Sequence, residues 1–187
     1  MSVRREVAAL ALTALAGVAL VGCGDDEPDA QDPASAEPSG SGTPPTTDDP
    51  GVEITGLPGM EGPYATALET YVDFEEGRRL VARTGEMNQR LSFSAVGGLA
   101  DRYRQAADEL AAAGTTYDGT VAVEVVDVRT RDTVVLIDLC VDATALVVPD
   151  GAPELLGRAV RSPERVAVVN LEGPWRVTRT VSGSGSC

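Results

Sequence analysis

The sequence predicts an α+β domain, in which helices lead and an antiparallel meander of strands follows. Two observations carry this: apolar residues recur at intervals of three and four up to about residue 113, and from residue 117 the period changes to two with a rise in β-branched side chains. A third is size. Residues 51–187 make a segment of the length that one hydrophobic core ordinarily serves.

Residues 51–63 are rich in Gly and Pro and read as a lead-in loop. A first helix is expected over 64–82, with Tyr64, Ala67, Leu68, Tyr71, Phe74 and Val81 on one stripe. Gly77 weakens it by about 1 kcal/mol relative to Ala, so a bend or a close packing contact is expected there. The acids Asp73, Glu75 and Glu76 read as a solvated helix face; a calcium site needs a Gly-turned, oxygen-rich loop instead. Residues 83–96 are less regular, and Gly97-Gly98 breaks the chain before a second helix over 99–113. Leu99, Tyr103, Ala106, Ala107 and Leu110 mark its core side, and Gly114 sits where a C-terminal cap glycine belongs.

Strands are expected over 120–128 and 133–142, joined as a hairpin through Arg129-Thr130-Arg131-Asp132. In the second, Val135, Ile137, Leu139 and Val141 share one face, while Val134, Leu136, Asp138, Cys140 and Asp142 share the other. A short strand over 143–148 precedes the turn at 149–153. A longer one over 158–171 is interrupted near Ser162-Pro163, and the last runs over 175–181 after Gly173-Pro174.

Ahead of the domain, Arg4 and Arg5 precede fifteen uncharged residues, 7–21. A membrane-spanning helix needs about 20 apolar residues, so 1–22 reads as a signal peptide. Leu20-Val21-Gly22-Cys23 resembles the lipobox of bacterial lipoproteins, in which the cysteine thiol takes a diacylglycerol and becomes the first mature residue. That resemblance implies anchoring to the outer face of the cell membrane through Cys23, and two or more acyl chains make such an anchor stable. The rival is a plain secreted protein with a chance cysteine. Residues 24–50 hold eight acids and no aromatic or branched aliphatic side chain, so 23–50 reads as the lipidated residue followed by a disordered, self-repelling tether.

The chain has a net charge of −14 and no His, and all fifteen of its basic residues are Arg. Such a surface excludes nucleic acid as a partner. Without His, the commonest acid-base group and the commonest zinc ligand are both missing. No metal cluster, Gly-rich phosphate loop or Gly-x-Ser-x-Gly elbow occurs, so no cofactor or metal is expected. With Cys23 assigned to lipid, Cys140 and Cys187 are the remaining pair, and in an oxidising exterior a disulfide is their default fate. It would stabilise the fold by roughly 4 kcal/mol on the chain-entropy account. The alternative is a buried free Cys140 and a frayed tail.

The element order, together with Asp138-Leu139-Cys140-Val141-Asp142, Trp175-Arg176-Val177 and Cys187, resembles the nuclear transport factor 2-like domain carried by lipoproteins of high-GC Gram-positive bacteria. The resemblance covers 63–187. It implies a cone in which helices and a curved antiparallel sheet enclose a pocket, and the fold alone does not choose the use of that pocket. Cyclase and dehydratase members depend on a His with an Asp, and this chain lacks the His. Steroid-isomerase-like members use a carboxylate base with Tyr and a protonated acid as oxyanion donors. Asp138 with Tyr71 or Tyr64 is the candidate for such a site, with a raised pKa; its rival places Asp138 on the outer face or in an ion pair with a neighbouring strand's Arg. Tyr64, Tyr71, Tyr103 and Trp175 are candidate ligand contacts. Arg179, expected on the same strand face as Trp175, Val177 and Val181, is a candidate for the pocket mouth. Plain core packing and salt bridging are the competing roles.

The leading expectation is therefore a lipid-anchored, non-enzymatic surface module that binds a small apolar ligand or an envelope protein. The alternatives are a His-free isomerase, cyclase or hydratase using Asp138, and a homodimerisation module pairing through the open sheet face.

Overall fold

The computed structural model describes residues 48–187; the expected signal peptide, Cys23 and most of the tether lie outside the described residues. In chain order the elements are β1 (Val52–Thr55), α1 (Pro63–Thr84), α2 (Gln89–Ser94), α3 (Gly97–Ala113), β2 (Asp118–Gly119), β3 (Val121–Arg131), β4 (Val134–Asp142), β5 (Leu146–Val147), β6 (Arg161–Asn170) and β7 (Trp175–Ser182). A single 3-10 turn, Glu154–Leu156, precedes β6. The main sheet has the order β1-β3-β4-β6-β7, and β2 pairs with β5 in a separate two-stranded ribbon. Helices pack against the sheet, so the fold is α+β.

The sheet is mixed where an antiparallel one was expected. Strands β3, β4, β6 and β7 form the antiparallel meander, but β1 joins β3 in parallel, Val52 opposite Val121 and Thr55 opposite Glu124. β1 lies within the expected lead-in loop. Four residues are too short a run to show a period, and the flanking Gly51 and Gly56, both at positive φ, mask it as loop. Its hydrogen-bond partner is the open edge of β3, a tertiary feature with no local sequence signal.

Pro63 occupies the first turn of α1, where its missing N–H costs nothing, and Gly85 ends the helix in the left-handed conformation at φ 69°. The irregular stretch that follows contains α2, capped by Asn88, whose Oδ1 accepts from the Leu91 backbone N–H at 3.0 Å. Gly77 turns out to be the close-contact kind of glycine. A Cβ there would lie 2.6 Å from the Leu91 nitrogen, because the α2 backbone crosses α1 at that point. Gly97-Gly98 does not break the chain but forms the first turn of α3, and Gly114 caps its end at φ 63°.

The β3–β4 turn is tighter than expected, with Arg131 paired to Val134 and Asp132 at φ 51°. β6 runs without interruption through Pro163, which sits opposite Cys140. The Pro163 carbonyl accepts from Gly183 N–H at 2.8 Å, so its missing N–H also faces that side, beyond the paired part of β7, and no ladder bond is lost. In β7 the register shifts between Ala167 and Val168, leaving Val177 opposite Val168 and Arg179 opposite Ala167. The extra residue, Thr178, flips the strand's alternation. Trp175 and Val177 therefore face the core, whereas Arg179 and Val181 are exposed, which corrects the expected common face.

Val135, Ile137, Leu139 and Val141 of β4 are buried under the helices, as their spacing predicts. Cys140, on the opposite face, is covered by the C-terminal tail and bonded to Cys187, with Cα atoms 5.4 Å apart. The bond pins the tail across β6.

Helix propensity alone would make Gly77→Ala stabilising by about 1 kcal/mol. The approach of Leu91 reverses the sign: urea unfolding of the variant is expected to show a lower midpoint than the parent, and a higher one would mean α2 yields at little cost.

Candidate functional site

The core-facing stripe of α1 does not stay apolar. Glu75, Arg78 and Arg79 continue the face that carries Tyr71, Phe74 and Ala82, and they are 0%, 4% and 3% exposed. The solvated-face expectation for the three acids is thereby divided. Asp73 is exposed and the half-buried Glu76 pairs with Arg90, but Glu75, four residues beyond Tyr71, points inward by helical geometry.

The Glu75 carboxylate takes both guanidiniums, Arg78 Nε on Oε2 at 2.5 Å and Arg79 Nε on Oε1 at 3.0 Å. Arg79 Nη1 donates to the Leu156 carbonyl at 3.3 Å, and Arg78 Nη2 reaches Glu164 Oε2 of β6 at 3.3 Å. The Arg78 guanidinium also lies 5.9 Å from the Phe74 ring centroid, within cation–π range. Burial pushes the Glu75 carboxyl pKa up, but the two adjacent guanidinium charges outweigh it and hold the group below the usual carboxylate range.

Arg78, Arg79 and Glu164 border a cavity of about 410 Å³ that opens to solvent. Ser162, Thr180 and Ser182 add hydroxyl-bearing residues to its wall. The exposed pair Arg158 and Glu154 stands at the rim. The hydroxyls of Tyr71 and Tyr103 are buried close to the ion set. Burial raises the pKa of both.

The residues singled out from sequence fall elsewhere. Tyr71 and Tyr103 are core residues, Tyr103 standing edge-on to Phe74 at 5.7 Å. Tyr64 packs on Trp175 at 6.2 Å between ring centroids, with its hydroxyl 3.5 Å from the Asp132 carbonyl oxygen. Arg179 borders a different surface cleft together with Arg102. None of the five lines the charged cavity.

Asp138 departs furthest from the catalytic candidate. It lies on the sheet face opposite Ile137 and Leu139, where Arg165 Nε donates to its Oδ1 at 2.5 Å and Arg129 takes its Oδ2. The hydrogen bond from Arg165, with help from Arg129, holds its carboxyl below the usual range, which is the ion-pair reading and the reverse of the rise that the catalytic reading requires. No oxyanion arrangement with Tyr71 or Tyr64 forms, because strand alternation puts the acid on the wrong side of the sheet. What sequence reasoning missed, Glu75 with Arg at i+3 and i+4 on the core stripe of α1, was detectable from helical phase alone.

Among the described residues no group of His, Cys, Asp and Glu is arranged to hold a metal, and no helix is long and apolar enough to cross a membrane. Fold and site together define an α+β domain with an ion-paired cavity beneath its sheet. No family model matches the chain, and no curated protein matches it. Among solved structures it is similar to the intermembrane space region of the chloroplast protein ARC6, at 19% identity over 68% of this chain and 100% of that one, with a TM-score of 0.47. That likeness is too slight to argue from.

Two outcomes are expected. Glu75→Gln leaves two buried guanidiniums without their carboxylate and should cost about 3–5 kcal/mol in urea unfolding, against near-neutrality for an exposed pair. Asp138, with its folded pKa depressed, contributes stability above its unfolded pKa that is lost as pH falls through the folded value. The Tm difference between the parent and Asp138→Asn should therefore shrink on acidification through and below the carboxylate range; a difference constant with pH would show that the ion pairs contribute nothing.

Proposed function

We propose that the chain is a lipid-anchored, non-enzymatic binding module on the outer face of the cell membrane, and that its cavity beside Arg78 and Arg79 takes a small polar molecule carrying an anionic group. The anchor rests on the signal-like segment and the lipobox resemblance at Cys23. The three helices over a bulged sheet support the nuclear transport factor 2-like assignment.

The observation that carries the ligand reading is a pair of almost fully buried guanidiniums bordering an open cavity of about 410 Å³, a size suited to a small molecule. A guanidinium carries five N–H donors, more than Glu75, Glu164 and the Leu156 carbonyl take up on Arg78 and Arg79, so donors remain for a ligand. An enclosed apolar site has less support, since Tyr71, Phe74, Tyr103, Leu110 and Ile137 occupy the interior themselves. Enzymatic use of Asp138 has less support still, because a carboxylate held by two guanidiniums is a poor base.

One feature favours a second reading. An apolar opening of about 450 Å³ between α1 and the segment after β1, bordered by Leu57, Pro58, Met60, Leu68 and Val72, suits an apolar ligand or the side chain of an envelope protein.

Thermal unfolding with citrate, malate, inorganic phosphate and decanoate separates the two. A ligand at 100 times its Kd stabilises by about 2.7 kcal/mol. A Tm rise with an anionic, oxygen-rich compound, abolished by Ser182→Trp at the cavity wall, is the expected result. A rise with decanoate alone, indifferent to Ser182→Trp, would move the site to the apolar opening. Cys23→Ser should release the protein from the membrane fraction into the medium.

A further inference from the structure

We propose that the charged cavity selects a zwitterion: an α-amino acid whose carboxylate meets the guanidiniums of Arg78 and Arg79 and whose ammonium group meets Glu164 and the neighbouring hydroxyls. The inference rests on the cavity reading above and narrows its ligand class.

The inner faces of the last two strands change character at the same end. In β6 the side chains on the helix side run from Val168 and Val166 to Glu164 and Ser162; in β7 they run from Trp175 and Val177 to Thr180 and Ser182. Register fixes this orientation. Ser162 lies opposite Val141 and Glu164 opposite Leu139, both of which are buried under the helices, and Ser182 lies opposite Glu164 from the other side. Two strands that are apolar over the core therefore present an acid and three hydroxyls to the space that Arg78 and Arg79 border.

The opposite charges stand close enough for one carbon to bridge them. Arg78 Nη2 is 3.3 Å from Glu164 Oε2, and an α-amino acid carries its carboxylate and its ammonium group on the same carbon. A primary ammonium has N–H donors and no acceptor, and Glu164, Ser162 and Ser182 supply oxygen acceptors from adjacent strand positions. On the cationic side Gly157 borders the cavity at φ 127°. A Cβ there would lie 3.0 Å from Arg79 Nη1, so the glycine keeps that guanidinium free of a covering side chain.

Charge balance sets the preference. Glu75 and Glu164 offset Arg78 and Arg79, and Glu154 offsets Arg158 at the rim. A carboxylate alone can pair with a guanidinium, but it then stands beside Glu164 and is repelled by it. An ammonium group next to that carboxylate turns the repulsion into attraction, and the ligand adds no net charge to a set that is largely buried. Val141, Ala143 and Val160 give the cavity wall an apolar stretch for an aliphatic side chain.

Isothermal titration calorimetry of the full chain with L-leucine, isocaproate and isoamylamine isolates each charge, because the three share one aliphatic group and differ in ammonium and carboxylate. Leucine is expected to bind about tenfold more tightly than either analogue, the worth of one hydrogen bond to a charged group. Glu164→Gln, in which Glu75 still pairs with Arg78, should remove the advantage of leucine over isocaproate, with the Tm of the variant measured alongside. Ser182→Trp should abolish leucine binding. Leucine binding no tighter than isocaproate in the parent overturns the proposal without recourse to any variant; if Ser182→Trp then abolishes isocaproate binding, the cavity remains an anion site and only the zwitterion is lost. An advantage of leucine that survives in folded Glu164→Gln, or leucine binding indifferent to Ser182→Trp, overturns it as well. So does a chain that responds to none of the three compounds, while the panel of anions still judges the cavity itself.

Discussion

The bidentate grip of Glu75 on Arg78 and Arg79 is the constraint around which the domain is arranged. Three charges are buried on one helix, and each guanidinium then reaches a second element: Arg78 to Glu164 of β6, and Arg79 to the Leu156 carbonyl in the 3-10 turn. Such a set adds little net stability over a well-packed apolar core, because desolvation offsets most of the attraction. What it supplies is position. Leaving any one charge unpaired is costly, so α1 is held in one rotation against β6 and the segment before it, and the cavity forms where that segment leaves the sheet.

Close backbone approaches complete the frame. Gly77 lets α2 cross α1, and the crossing brings Ala95, just after α2, to a parallel bridge with Val177 of β7. At the other end of β7, Gly183 passes close over Pro163, and the tail continues to Cys140. The clamp ties together the ends of β4, β6 and β7, the same ends that bring Val141, Ser162, Glu164, Thr180 and Ser182 to the cavity wall. On the outer face, Asp138 bridges Arg129 and Arg165 across three neighbouring strands, a partly exposed brace whose strength depends on both partners keeping their charge.

Much of this was legible in the residues. The helical stripe from Tyr71 to Val81, the second helix ending at Gly114, the inward set Val135, Ile137, Leu139 and Val141, and the pairing of Cys140 with Cys187 all follow from local periodicity, cap chemistry and cysteine count. The candidate site was less legible. Its key acid was assigned to solvent because charge outweighed phase, although Glu75 sits squarely on the stripe defined by Tyr71 and Phe74. Arg179 was placed on the core side by simple alternation, and one additional residue, Thr178, turned it outward.

Sequence by itself determined the class of fold, the order of its long elements, the inward side of each long helix and of β4, and the Cys140–Cys187 disulfide, because these depend on periods, caps and cysteine count. Only the tertiary structure decided that β1 exists, that β7 carries a bulge, that Asp138 is braced by two strands, and that Glu75 meets Arg78 and Arg79 beneath β6 beside an open cavity. Each of those depends on a partner distant in sequence: the free edge of β3, the register of β6, the guanidinium of Arg165, the carboxylate of Glu164. A local pattern cannot encode which distant backbone edge or charge will be available. That is settled when the helices close over the sheet and every buried charge must find its counterpart.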